Sequence, residues 1–258
     1  MQMAGPIPTK LFLLGKYLLT IVFKNPRGLR PVLGHALAEA ENHLDKSRDI
    51  SCLPAVSLPQ LVDENAGRLE IVTSLFPEVT HSIAFVEAFA LGVLLQKIKA
   101  GRVFEFGTNR GISTTQLALN VGQNGRVFTL DLPRKNRQTK FDIKLTGDLE
   151  VAYQTEKADL IPKNLLARVI FLEQDSALFD ESSYAATMDA VFVDGAHIYE
   201  YVRNDSEKGW RMLRPGGMII WHDFRPQTPD VMRYLFESDF KPSRIEGTTL
   251  AFAVKPGA

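Results

Sequence analysis

The chain has 258 residues, 45% of them apolar and 23% charged, a composition that suits a soluble globular protein and excludes a disordered or fibrous one. Thirty basic residues balance thirty acidic ones, so no overall field draws the protein to nucleic acid. A single cysteine, Cys52, excludes an internal disulfide and a Cys-based zinc cluster.

Taken in chain order, residues 1–38 carry Lys10, Lys16, Lys24, Arg27 and Arg30 before the first acid, Glu39. The apolar stretch 11–23 is interrupted by Lys16 and is too short to span a bilayer. No small-residue cleavage site follows it, which argues against a signal peptide, and the cysteine usage fits the cytoplasm. As a helix, the segment lines up Lys16, Thr20, Lys24 and Arg27 in one polar stripe against a face of Leu, Val and Phe. Such a helix packs on its own domain or on a second subunit, giving a homo-oligomer. The alternative is peripheral contact with an anionic membrane. Turn signals at 25–28 and 51–59 divide the region into short helical pieces, so residues 1–79 are read as a helical extension and 80–258 as the main domain.

Residues 82–99 read as a mostly buried helix stopped by Ala100-Gly101, and a regular alternation follows. Strands are predicted at 102–106, 126–132, 168–173, 188–193, 218–224 and 248–255. Helices are predicted at 113–121, 198–213 and 229–238, with a further helix and a loop inside the polar stretch 133–163. Strands alternating with helices predict an α/β fold around a doubly wound, mostly parallel sheet.

Four segments carry chemistry. In Val103-Phe-Glu-Phe-Gly107-Thr-Asn-Arg-Gly111-Ile-Ser, a strand ends at glycine and a helix opens near Ser113, so free N–H groups face a ligand. Glu105, two residues before Gly107, would repel a pyrophosphate but suits a ligand with an ammonium and a sulfonium. Asp131 closes the second strand, where a carboxylate can accept both ribose hydroxyls or simply cap a turn. Asp175 and Ser176 follow the third strand, placed to meet an adenine amino group or to cap a helical turn. The run Val193-Asp194-Gly-Ala-His197-Ile-Tyr199, then Leu213-Arg-Pro215-Gly216-Gly217 and His222-Asp223, brings two acids and two imidazoles to neighbouring strand ends.

Together these segments resemble the class I S-adenosylmethionine-dependent methyltransferases, in particular the branch that O-methylates small molecules. The resemblance covers roughly 80–255 and is most specific from Asp194 to Asp223. It implies a seven-stranded Rossmann-like sheet and methyl transfer to a hydroxyl of a sugar, phenol, lipid or secondary metabolite. It also implies that Glu105, Gly107, Thr108, Asn109, Gly111, Ser113, Asp131, Asp175, Ser176 and Asp194 surround the donor. Asp194 and Asp223 take positions that hold a divalent cation such as Mg²⁺ in metal-dependent relatives, here with His222 beside them, an unusual neighbour for a hard ion. His197 and Asp194 are the catalytic candidates, with His197 as general base. Two other readings use the same residues: a nicotinamide-dependent oxidoreductase, although Gly-Thr-Asn-Arg-Gly departs from its Gly-x-Gly-x-x-Gly turn, and a non-catalytic cofactor-binding scaffold.

Overall fold

The computed structural model describes residues 49–258, apart from 63–67, 78, 134, 136–137, 144–145, 154–155 and 258. The helix expected over 11–27, and the oligomer or membrane role attached to it, lie outside the described residues. Residues from Asp49 to the C-terminus form one compact unit.

In chain order this unit runs β1 (Ala55–Val56), α1 (Phe85–Lys97), β2 (Arg102–Phe106), α2 (Ile112–Asn120), β3 (Arg126–Asp131) and α3 (Thr146–Tyr153). It continues through β4 (Val169–Glu173), β5 (Met188–Val193), α4 (Tyr199–Met212), β6 (Leu213–Trp221), α5 (Pro229–Glu237), β7 (Ser243–Ile245) and β8 (Ala251–Val254). The strands form one sheet in the order β1-β7-β8-β6-β5-β2-β3-β4, parallel except where β8 pairs with β6 and β7. The chain moves outward from β2 to β4 and then returns to β5 on the other side of β2. Ligands of open α/β sheets bind at such a switch point, at the carboxyl ends of the strands.

The central strands are apolar at nearly every position because both faces are covered. Val103, Val127, Ala190, Phe192, Met218 and Ile220 pack on one face with α1 and α2. Their neighbours Phe104, Phe106, Phe128, Val191, Ile219 and Trp221 pack on the other with α4 and α5.

Three differences from the expected elements have physical causes. The sheet has eight strands and not seven, because Ala55–Val56 pairs in parallel with Arg244–Ile245. Residues 55–61, read as extension, therefore pack with the domain, and Leu61 joins its core. Strand β6 begins at Leu213, earlier than expected, because Leu213 pairs with Met188 and the chain then bulges through Pro215 and Gly216, at a left-handed φ of 75°, before pairing resumes at Met218. Strand β7 is three residues long, and Ser-Arg-Ile has no periodicity to betray it.

Candidate active site

The first turn of the site is shaped by contact between backbones. Gly107 sits at φ 95°, and a Cβ there would lie 2.0 Å from the carbonyl oxygen of Asp194. Only glycine lets the ends of β2 and β5 approach so closely. Gly111, at φ 88°, caps α2 against Ile161. Asn109 adopts φ 47°, a conformation that asparagine tolerates best after glycine, and this accounts for its place in a glycine-rich turn.

Glu105 does not reach the ligand cavity. By strand alternation its side chain lies beneath the turn, fully buried, and its Oε2 accepts from Thr114 Oγ1 (2.5 Å) and Thr129 Oγ1 (2.6 Å). Burial outweighs those hydrogen bonds and one from Ser113, pushing its pKa up to about 7. Thr108 joins the same network through Thr129, with the two hydroxyl oxygens 2.6 Å apart. Glu105, Thr108 and Ser113 thus support the turn from below.

A cavity of about 580 Å³ opens along the carboxyl edge. Gly107, Asn109, Asp131, Asp175, Ser176 and Asp194 all line it, as do His197, His222 and Asp223. Asp131 Oδ2 accepts from Asn109 N (3.0 Å), and its Oδ1 accepts from Leu132 N (2.7 Å) and Lys157 Nζ (2.9 Å). Asp175 is held by Ala177 N, Lys140 N and Tyr201 Oη, the last at 2.9 Å. Burial and this bond raise the Tyr201 phenol, so it donates at every physiological pH. Beside them Asp205 is buried completely and its pKa rises to about 7, because burial outweighs the hydrogen bonds from Ser176 and Asn204.

Two histidines and four carboxylates crowd the end of the cavity above β5 and β6. His222 Nδ1 lies 3.0 Å from Asp194 Oδ1 and 3.1 Å from Asp223 Oδ2, and its Nε2 lies 3.1 Å from Glu87 Oε2. His197 Nδ1 lies 2.5 Å from Asp148 Oδ1, and its main-chain N–H donates to Asp148 Oδ2 (2.7 Å). His197 Nε2 is 2.6 Å from Asp223 Oδ2, but the oxygen stands off the N–H axis and the nitrogen has no hydrogen-bond partner. Asp223 itself takes a left-handed φ of 58°, and Thr228 Oγ1 donates to its carbonyl oxygen, so its carboxylate is turned back into the cluster. Burial disfavours charge on His197, but the carboxylates of Asp148 and Asp223 prevail and raise its pKa to about 10. His222 is raised for the same reason by Asp194, Asp223 and Glu87, while the two histidines hold Asp223 far below the usual carboxylate range.

The ligand atoms of Asp194, His197 and Asp223 all fall within 4.8 Å of one another. His197 was expected as a base and His222 as a ligand; the fold brings both within reach of the same two aspartates. Four participants escaped the sequence reading: Glu87, Asp148, Lys157 and Tyr201. Glu87 left one signal, a lone carboxylate in the apolar run of α1. Asp148 and Lys157 lie in a polar stretch without contrast, where nothing singles them out.

Residues 104–224 match a family model described as a methyltransferase domain. Nothing matches among curated proteins. Of solved structures, cofactor-bound Rv0187 from MTB is 20% identical, with all of both chains covered and a TM-score of 0.50. An O-methyltransferase from Bacillus cereus in complex with SAH is 19% identical over 69% of this chain and 84% of its own, with a TM-score of 0.49. The O-methyltransferase TomG from Streptomyces achromogenes, in complex with SAM, is 17% identical over 68% and 82%, with a TM-score of 0.48.

Proposed function

Given that this chain belongs to the S-adenosylmethionine-dependent methyltransferases, through the domain at 104–224, we propose that it methylates a hydroxyl oxygen of a small molecule. The observation that carries this reading is the gathering of Asp194, His197, His222 and Asp223 at one end of the cavity that Asp131 and Asp175 line at the other. Family membership sets aside the oxidoreductase and scaffold readings. No helix among the described residues is long and apolar enough to cross a membrane.

In this reading Asp131 accepts the ribose hydroxyls, Asp175 meets adenine, and the backbone at Gly107 lets the methionine part pass close to the sheet edge. The acceptor lies toward Asp194, with Ser82, Thr249, Arg225 and Gln227 on the walls. Of the described residues that line the cavity, only Phe106, Tyr201, His81, His197 and His222 carry rings, and Phe106 and Tyr201 belong to the end that Asp131 and Asp175 line. That favours a polar, hydroxylated acceptor held by hydrogen bonds over a flat phenol held by stacking.

The hydroxyl must lose its proton as its oxygen attacks the methyl carbon and the sulfonium leaves as a neutral thioether. His197 keeps its own proton while Asp148 and Asp223 both face it. Once Asp223 is engaged elsewhere, Asp148 alone orients the ring, and Nε2 is free to accept the hydroxyl proton. The donor set around Asp223 fits a divalent cation: the ligand atoms of Asp194, His197 and Asp223 lie within 4.8 Å of one another, and His222 Nδ1 stands 3.0 and 3.1 Å from the two carboxylates. Mixed nitrogen and oxygen donors suit Mn²⁺, Fe²⁺ or Zn²⁺ better than Mg²⁺. Such an ion, held by Asp194 and Asp223, would lower the hydroxyl's pKa and orient it. Positioning the two reactants supplies much of the acceleration in either case.

The reading is tested by calorimetric titration with S-adenosylmethionine and by turnover on a panel of hydroxylated acceptors, before and after chelation and Mn²⁺ addition. Donor binding with methyl transfer only to nitrogen or carbon acceptors would overturn it. Full turnover after exhaustive chelation would remove the metal and leave His197 as the base.

A further inference from the structure

Glu87 is the third residue of α1 and only 5% exposed, on a helix face otherwise made of Ala, Leu and Val. A carboxylate in that setting must be paired to be tolerated. One of its contacts is local: Oε2 accepts from Ala84 N (2.8 Å) and caps the helix. The others come from distant elements. Oε1 accepts from both Thr249 N and Thr249 Oγ1 (2.8 Å each), and Oε2 also faces His222 Nε2 (3.1 Å). Capping therefore explains one of four contacts. The other three fix the carboxylate against the loop after β6 and the turn before β8.

Because both oxygens of Glu87 accept from donors that cannot do otherwise, His222 must present Nε2–H to it. Its Nδ1 then faces Asp194 Oδ1 and Asp223 Oδ2, at 3.0 and 3.1 Å. A lone pair there would repel two carboxylate oxygens unless a cation, a proton or a metal ion, sits among them. Two donors bound at about 2.1 Å to one ion and about 90° apart stand about 3.0 Å from each other. The two separations from Nδ1, 3.0 and 3.1 Å, suit a shared ion as well as a shared proton.

We propose that Glu87 is a positioning residue, which fixes the Nε2–H form of His222 so that Nδ1 joins Asp194 and Asp223 as a third donor to a divalent cation. This deepens the metal arm of the proposed function and rests on it. It separates the two histidines: His222, locked between carboxylates, is the ligand, and His197 on the cavity wall keeps the proton-transfer role. Carboxylates that orient a ligating histidine in this way commonly change metal affinity by about 10–100-fold when removed.

The test uses the full chain and Mn²⁺ or Zn²⁺ alone. Glu87→Gln places an amide N–H₂ against donors, which drives His222 toward the Nδ1–H form. Titration of Mn²⁺ should show at least a tenfold weaker Kd, while the Kd for S-adenosylhomocysteine stays within about twofold. Thr249→Val removes one of the same hydrogen bonds without touching His222, and should lower the melting temperature but leave Mn²⁺ affinity intact. Nitrogen-15 spectra of the Zn²⁺-loaded wild type should show His222 bonded to metal through Nδ1, a readout that stands even if Glu87→Gln fails to fold. Unchanged Mn²⁺ affinity in Glu87→Gln, a Zn²⁺ bond through Nε2, or a wild type that binds neither ion would each overturn the proposal. A wild type that binds Mn²⁺ through His222 Nδ1 yet methylates no hydroxylated acceptor would instead count against the catalytic reading alone.

Discussion

Replacing Asp131 by alanine should damage donor binding and stability together, and the two effects can be pulled apart. Asp131 carries three donors in the structure, Asn109 N, Leu132 N and Lys157 Nζ, and it lines the cavity at the position proposed for the donor's ribose. Loss of two hydrogen bonds to a charged acceptor costs about 3 kcal/mol, equivalent to a roughly 150-fold weaker Kd. Lys157 is only 6% exposed, so the same mutation also removes the carboxylate 2.9 Å from a buried ammonium. Breaking a buried pair costs about 3–5 kcal/mol; since Lys157 Nζ keeps the carbonyl of Leu132 at 3.1 Å, we expect the low end. For a unit of this size about 3 kcal/mol corresponds to a melting temperature lower by about 6–12 °C. Lys157→Met in the Asp131→Ala background removes the buried charge and should recover much of the stability without recovering affinity. Calorimetric titration with S-adenosylhomocysteine and thermal unfolding of the wild type, both single mutants and the double mutant provide the full cycle. A folded Asp131→Ala protein that binds within about threefold of wild type would remove Asp131 from the ribose site. Equal melting temperatures for Asp131→Ala and the double mutant would show that the buried Lys157 charge does not burden the mutant.

Two further outcomes are expected. Gly107→Ala combines a left-handed φ with a Cβ 2.0 Å from the Asp194 carbonyl oxygen, so strain and overpacking together should cost about 3–5 kcal/mol and abolish donor binding; near-native melting and affinity would refute the close approach of β2 and β5. Glu105 has its pKa raised from 4.5 to about 7, so the folded state holds the extra proton between those values, and this group's contribution to stability is fullest below pH 4.5 and falls as pH rises to about 7. The fall amounts to about 3 kcal/mol, and Glu105→Gln should lose that part of the slope in urea titrations at about pH 5 and pH 8, keeping what Asp205, His197 and His222, all shifted in the same direction, contribute. An unchanged slope in Glu105→Gln would place the titration elsewhere.

The legible parts of this protein were those encoded by neighbours in sequence. Apolar runs that end in Gly107, Asp131, Gln174-Asp175, Asp194 and His222-Asp223 state both the strands and the edge at which they deliver polar groups, because a strand carries its last residue to a fixed side of the sheet. The donor end of the cavity follows almost entirely from that. Even there, the period of two also placed Glu105 on the covered face, which the motif alone did not reveal.

The catalytic end was decided by packing. Glu87 comes from a helix between β1 and β2 and Asp148 from a helix between β3 and β4, and both settle on histidines far along the chain. No local pattern encodes such pairs, since a carboxylate meets its partner only when separate elements dock. Ala55–Val56 and Ser243–Ile245 are strands for the same reason: each is too short to show a period, and each is extended because the other lies beside it. The sequence determined which residues reach the sheet edge. Only the tertiary structure decided which carboxylate faces which imidazole nitrogen, because those pairs form only when separate elements dock.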